Sequence, residues 1–163
     1  MARDAIARQY DVDKNSVILF CEVGKGDYRP GTITFHAKKG RSIDLEKMRE
    51  SIAATRLSGG TNMRVVSLTL TVAGDVVAGG PELLLRVSGT GQELLLGEDP
   101  DQKEELQRLR EAQRKGAKIT SVTGHVQGWN GRFPDVLKAM APDAPGGRKR
   151  PVLLVTDFEV AQK

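Results

Sequence analysis

The sequence predicts an α+β protein whose second half forms a five-stranded OB-like β-barrel with one helix. Three observations predict this class. Five short apolar segments are separated by glycine-rich turns, one charged segment has the features of a helix, and that helix falls between the third and fourth strands. This is the order of elements in an OB-type barrel, and such barrels usually serve as binding modules.

The first barrel strand has the clearest strand pattern. Apolar and polar residues alternate from Val66 to Val72, as in a half-buried strand. Gly74 follows and is expected to supply the bend that a small barrel needs, and Gly79-Gly80-Pro81 is a predicted turn. The five predicted strands are Val65–Val72, Leu83–Val87, Glu93–Leu96, Ala117–Gln127 and Val152–Val160.

The predicted barrel helix is Asp101–Lys115. It is acidic at its start and basic at its end, which complements the helix dipole, and Gly116 is its stop signal. Its apolar face is thin and consists of Leu106, Leu109 and Ala112. We therefore expect the helix to lie on an edge or end of the barrel instead of filling the core.

The first half of the chain, residues 1–64, is predicted to be separate from the barrel at residues 65–163. Ser16–Val23 and Thr32–Ala37 are predicted to form a hairpin. Ser42 is the expected cap of the helix that follows. The apolar stripe of this helix consists of Leu45, Met48 and Ile52.

The segments Gly31-Thr32-Ile33-Thr34-Phe35 and Ser42–Ile52 resemble the later half of a heavy-metal-associated domain. This family is the small ferredoxin-like fold of copper chaperones and metal-pumping ATPases. The resemblance implies a partial ferredoxin-like α/β sandwich at residues 1–64. The family binds metal through a Cys-x-x-Cys loop, which this chain lacks, and its single cysteine, Cys21, lies on a predicted strand. The implied domain is therefore degenerate and has no metal ligands.

The complete layout resembles small bacterial proteins, often exported, that join such a degenerate domain to an OB-like barrel. This resemblance favours a periplasmic protein whose leader has been removed, and the alternative is a cytoplasmic protein. No apolar run approaches the ~20 residues of a membrane-spanning helix. We therefore expect no membrane span.

Composition restricts the function classes. Apolar residues make up 39% and charged residues 28% of the chain, which is typical of a globular protein. Aromatic residues make up only 4%, so large stacking platforms are not expected. The net charge of +4 comes from interspersed charges and lacks the dense basic stripe of a dedicated nucleic-acid binder.

The sequence contains no motif that predicts catalysis. His36 and His125 lie at polar positions of separate predicted strands, and the glycine-rich turns do not match a phosphate-binding loop. No nucleophile elbow is present, and no carboxylate lies in an apolar setting that would mark it as an acid or base. We therefore expect a non-enzymatic protein with no catalytic residues, no cofactor and no metal bound by this chain alone.

The insertion Gly128–Pro151, between the last two strands, is the expected contact surface. Long connections in small domains usually carry function, and this one combines aromatic and basic side chains. The alternative is a solvated loop whose aromatic residues pack on the barrel. The candidate partner-binding residues are Trp129, Arg132, Phe133, Arg148, Lys149 and Arg150.

We expect a binding or assembly protein, an accessory subunit that docks onto a larger protein complex. The alternative is a nucleic-acid-binding OB-fold protein that uses the Trp129–Arg150 insertion. The scarcity of aromatic residues and of lysine runs favours the protein partner.

Overall fold

A computed structural model describes residues 18–21, 31–34, 42, 44–54, 67–129 and 150–162 of the chain. The chain divides into two compact units, Met1–Arg64 and Val65–Lys163. Each unit is described by itself below.

The first unit contains an antiparallel strand pair and a helix. β1, Ile18–Cys21, pairs with β2, Gly31–Thr34. The pairing of these two predicted strands is confirmed, although the remainder of each predicted strand lies outside the described residues. The helix α1 spans Leu45–Ala54.

Asp44 caps α1, so the prediction of Ser42 as the cap is wrong. The Asp44 Oδ1 atom accepts a hydrogen bond from the Lys47 N–H (2.9 Å), and the Asp44 carbonyl accepts one from the Met48 N–H (3.0 Å). Both residue types can cap a helix. Asp44 directly precedes Leu45, which is buried at 3% exposure, so the burial of this leucine is consistent with a helix that begins after Asp44.

The second unit is a closed, mixed sheet of five strands with one helix. The strands follow one another around the sheet in the order β3-β4-β5-β7-β6, and β6 pairs with β3 to close it. Every pair is antiparallel except β5 with β7, which is parallel. The elements are β3 Thr69–Gly79, β4 Glu82–Val87, β5 Glu93–Glu98, α2 Lys103–Arg114, β6 Ile119–Val126 and β7 Val152–Val160. The predicted α+β class and the five-stranded sheet with its helix between the third and fourth strands are confirmed.

β3 differs most from its prediction. It begins at Thr69 and continues through Gly74 to Gly79, whereas the predicted strand ended at Val72. Its first five residues pair with β6 and its last six pair with β4. The change of partner falls at Gly74, where a bend was expected. A Cβ atom on Gly74 would overlap the backbone carbonyl oxygen of Arg86, so glycine permits the close approach of β4.

The core of the second unit consists of the inward-facing side chains of the strands and two leucines of α2. α2 packs against β5 and β7, at the end of the sheet where β5 ends and β6 begins. The helix was expected at an edge or end of the barrel, and this position agrees with that. The expectation that it would not contribute to the core is wrong, because Leu109 is 0% and Leu106 8% exposed. The most deeply buried side chains are Leu85, Leu94, Leu109, Leu153, Val122 and Val155. Each contributes about 1.5–3 kcal/mol by its burial.

Gly124 provides a test of the strand packing in the closed sheet. A Cβ atom there would overlap the Leu154 carbonyl oxygen and lie 2.9 Å from Leu153 Cγ. We expect Gly124→Ala to lower the free energy of unfolding by about 1–3 kcal/mol, as overpacking does. The control is Gly79→Ala, whose Cβ would lie 3.0 Å from the flexible end of Leu84 and should change the stability by less than about 1 kcal/mol. Urea denaturation checks both, and equal midpoints for the two variants would contradict the prediction.

Candidate functional site

The structure describes the first and the last of the six candidate residues in the insertion. Trp129 and Arg150 belong to the described residues. The other four, Arg132, Phe133, Arg148 and Lys149, lie outside them. The site is therefore built from the two ends of the insertion and from the strands beside them.

Both ends of the insertion are fixed to the same end of the sheet. The Gln127 N–H donates to the Val152 carbonyl (3.0 Å), and the Leu95 N–H donates to the Pro151 carbonyl (3.0 Å). Trp129 is half-buried, and its N–H donates to a carbonyl at the end of β6 (3.2 Å). The insertion thus leaves β6 and returns to β7 at one place, beside the start of β5.

The outer face of β3, β4, β5 and β7 presents two parallel rows of side chains. The first row is apolar and consists of the cross-strand neighbours Val77, Leu84, Leu95 and Val152. These side chains point away from the core because side chains alternate between the faces of a strand. Leu84 is nevertheless only 7% exposed and Val152 only 8% exposed. Leu84 and Val152 are therefore covered, whereas Val77 and Leu95 are half-exposed.

The second row is charged, and its signs alternate across the four strands. Asp75 lies opposite Arg86, and Arg86 lies opposite Glu93. Arg150 completes the row on the other side of Glu93, in line with the parallel register of β5 and β7. Arg86 Nη2 lies 3.3 Å from Glu93 Oε1. Such cross-strand pairs stabilise a sheet by roughly 0.2–1 kcal/mol each.

Arg150 crosses the outer face and joins two carboxylates. Its Nη1 atom lies 3.9 Å from Glu93 Oε2, and its Nη2 atom lies 3.9 Å from Glu82 Oε2. Glu82 and Glu93 lie on opposite sides of the Leu84–Leu95 pair, so the guanidinium group extends across the apolar row. The Arg150 side chain is only 14% exposed. Arg150 therefore acts in this structure as an ion bridge between two carboxylates, through long ion pairs, and its buried Nε atom has no hydrogen-bond partner.

The sequence analysis did not identify Glu82, Arg86 and Glu93 as members of a site. A signal for them exists, because each occupies an outward position of β4 or β5 and their charges alternate in sign. This signal becomes visible only when the register between the strands is known.

The described part of the second unit is acidic. Residues 67–129 and 150–162 carry eight Lys and Arg against eleven Asp and Glu, a formal net charge of −3, whereas the whole chain carries +4. The basic excess therefore lies elsewhere in the chain. Residues 130–149 contribute to it, with four Lys and Arg against two Asp.

The structure describes one of the two histidines. His125 is exposed on the outer face of β6, where its Nδ1 atom shares a hydrogen bond with Thr69 Oγ1 (2.8 Å). His36 lies outside the described residues. In the ranges that the structure describes, no group of three or more His, Cys, Asp or Glu side chains is placed to hold a metal ion. No helix in those ranges has the length and apolar character needed to cross a bilayer.

The ion bridge of Arg150 predicts that replacing Arg150 lowers the free energy of unfolding more than replacing Arg86 in the same row. Arg150→Met keeps the apolar stem but leaves Glu82 and Glu93 without this partner. We expect it to lower the free energy of unfolding by about 1–2 kcal/mol, less than the ~3–5 kcal/mol of a fully buried pair because Glu82 is 47% exposed. Arg86 is 55% exposed, so the control Arg86→Met should lower it by less than about 1 kcal/mol. The measurement is urea denaturation at neutral pH, and equal losses for the two variants would show that the bridge has no special role.

Comparison with known proteins does not assign the chain to a family. No family model, no curated protein and no solved structure matches it.

Proposed function

We propose that this chain is a non-enzymatic docking protein, an accessory subunit that binds a larger protein complex through the insertion between β6 and β7. The observation that carries this proposal is the pairing of Arg150 with Glu82 and Glu93 on the outer face beside the insertion. This pairing makes the face a poor surface for an anionic polymer. The insertion itself adds aromatic and basic side chains of the kinds found at protein interface anchors.

The proposal includes a finer description of the fold. Val65–Lys163 is proposed to be an OB-type barrel, and Met1–Arg64 a degenerate ferredoxin-like domain. The first assignment is supported by β7, which lies between β5 and β6 in the closed sheet and runs parallel to β5. The second is supported by the pairing of β1 with β2 ahead of α1, together with the resemblance of this region to the heavy-metal-associated family.

An OB-type barrel binds its ligand on the face of its second and third strands, between the loops that follow its first and fourth strands. In this chain those strands are β4 and β5. The two loops are the Gly80–Pro81 turn and the insertion. Arg150, at the end of the insertion, reaches across this face and is paired there with Glu82 of β4 and Glu93 of β5.

An oligonucleotide would need unpaired cations and aromatic side chains on this face. Both Arg86 and Arg150 are paired with carboxylates, and the unit around them is acidic in its described residues. The outward positions of β4 and β5 carry no aromatic residue; they are Glu82, Leu84, Arg86, Glu93, Leu95 and Gly97. Carboxylates repel phosphates, whereas a surface of mixed charges can pair with a protein surface of complementary charges.

Nucleic-acid binding remains the second candidate because the insertion has a net positive charge between residues 130 and 149. In that case Arg132, Arg148 and Lys149 would contact phosphates, and Trp129 and Phe133 would stack on bases. The two candidates differ in their salt dependence. A phosphate-binding loop releases counterions, so its affinity falls steeply with salt.

The proposed docking function predicts that the insertion carries most of the binding energy. We expect Trp129→Ala, and separately the pair Arg148→Glu with Lys149→Glu, to weaken capture of the partner complex from native extract at least about tenfold, because a few anchors dominate an interface. Arg150 stays unchanged in all variants because it stabilises the sheet.

The matched controls are Trp129→Phe and the pair Lys47→Glu with Lys103→Glu, which reverses two exposed charges outside the insertion. Both controls should keep the partner. Oligonucleotide binding is measured in parallel at 50 and 200 mM salt. Partner capture that survives every insertion variant would contradict the docking proposal. Strong oligonucleotide binding that falls steeply with salt and is lost in the Arg148–Lys149 variant would establish the second candidate instead.

A further inference from the structure

The second half of β3 has an edge that no described strand covers. The Ser88 N–H donates to the Ala73 carbonyl (3.0 Å), which makes the odd-numbered residues of β3 the ones that hydrogen-bond to β4. The N–H and C=O groups of Val76 and Ala78 therefore point away from β4. On that side β6 pairs with β3 only as far as Ala73.

This edge is accessible, and β3 itself carries none of the features that usually protect an edge strand. Ala78 and Gly79 are exposed, and Val76 and Val77 are half-exposed. Natural edge strands are commonly protected by lysine, proline or a bulge within the strand, or by a helix or loop that covers it. β3 contains no lysine or proline, and its pairing with β4 has no register shift. The only charged side chain on this stretch is Asp75.

The carboxamide of Gln113 occupies one position on this edge. Its Nε2 atom donates to the Val76 carbonyl at 3.4 Å, the interaction that the N–H of an added strand would make. The hydrogen bond is long and joins two neutral groups, so an added strand can displace it at little cost. Arg110 reaches the same hairpin and donates from Nη1 to the Pro81 carbonyl (3.2 Å). The last two turns of α2 thus lie beside the open edge.

The end of α2 gives this edge a positive surrounding. Arg114 follows Arg110 by four residues, so it lies on the same helix face as the two side chains that touch the hairpin. Arg114, Lys115 and Lys118 are exposed. Between residues 110 and 118 there are four Lys and Arg and one acidic residue, Glu111. This is a local excess of positive charge in a unit whose described residues carry a net negative charge.

We propose that the open edge of β3 at Val76–Ala78 binds an extended acidic peptide segment by β-strand addition. The inference rests on the proposed docking function, because it names a second contact and the chemistry of the partner segment. The peptide displaces Gln113 from the Val76 carbonyl and pairs with the N–H and C=O groups of Val76 and Ala78. Its main chain supplies the affinity, and its carboxylates meet Arg114, Lys115 and Lys118.

The test uses three labelled synthetic octapeptides and the full chain. The first alternates valine with glutamate, the second alternates valine with lysine, and the third is the glutamate peptide with alternate backbone nitrogens methylated. Binding is measured by fluorescence anisotropy, and the site is located by backbone amide NMR shifts. We expect only the unmethylated glutamate peptide to bind, with the largest shifts between residues 75 and 80.

Two protein variants test the edge itself. Ala78→Pro removes an N–H that points away from β4 and should weaken the peptide at least tenfold. The control Ala78→Val keeps this N–H and should bind like the unchanged chain. If Ala78→Pro does not fold, the methylated peptide still tests whether binding needs main-chain hydrogen bonds. Arg114→Glu together with Lys118→Glu should weaken the glutamate peptide at least fivefold.

Several outcomes would overturn the inference. These are equal binding of the methylated and unmethylated peptides, equal binding of the lysine and glutamate peptides, shifts confined to another surface, or no binding of any peptide at millimolar concentration.

Partner capture in the insertion experiment is independent of these peptides. If the peptides fail while the insertion variants lose the partner, docking stands and this contact does not. If the peptides bind while every insertion variant keeps the partner, the edge is the contact and the insertion is not.

Discussion

β3 hydrogen-bonds to β6 through its first half and to β4 through its second half, and the closure of the sheet depends on this change of partner at Gly74. A strand that paired with β4 alone would leave β6 paired only with β7, and the five strands would form an open sheet. The change requires the β4 backbone to come close to β3, which a side chain at position 74 would prevent. Closure also leaves the second half of β3 without a second neighbouring strand among the described residues, at the end of the sheet where α2 lies.

The outer face shows how charge and apolar surface are combined in a small sheet. The apolar row on β3, β4, β5 and β7 would be unfavourable in contact with water. The aliphatic stem of Arg150 can cover part of such a row while its guanidinium group reaches carboxylates on both sides, as long basic side chains do. An arginine that lies near two carboxylates attracts an external anion less strongly than an unpaired arginine does. Arg150 therefore belongs to the sheet, whereas its sequence neighbours Arg148 and Lys149 belong to the proposed contact surface, although the three form one basic run.

The two proposed contact surfaces lie at opposite ends of the closed sheet. The insertion connects β6 to β7 at the end where β5 begins, whereas the open edge of β3 lies at the end where β5 finishes and α2 follows. Their positive charges come from different elements. Those of the insertion lie on the connection between β6 and β7, and those beside the open edge lie on the last turn of α2 and the residues after it. A partner that contacts both must extend along the sheet, and a partner that contacts only one leaves the other available for a second molecule.

The sequence by itself determined the α+β class, the number of strands in the second unit, the helix between the third and fourth strands and the bounds of Val152–Val160. These features follow from alternation, turn residues and helix charge, which act over a few neighbouring residues. Only the tertiary structure decided that β3 continues past Gly74, because the glycine- and alanine-rich stretch to Gly79 has weak strand propensity and becomes a strand by pairing with β4. It also decided the role of Arg150, whose partners Glu82 and Glu93 lie more than fifty residues away in the chain. Local patterns cannot specify such contacts, because they depend on the register between strands that meet only when the sheet closes.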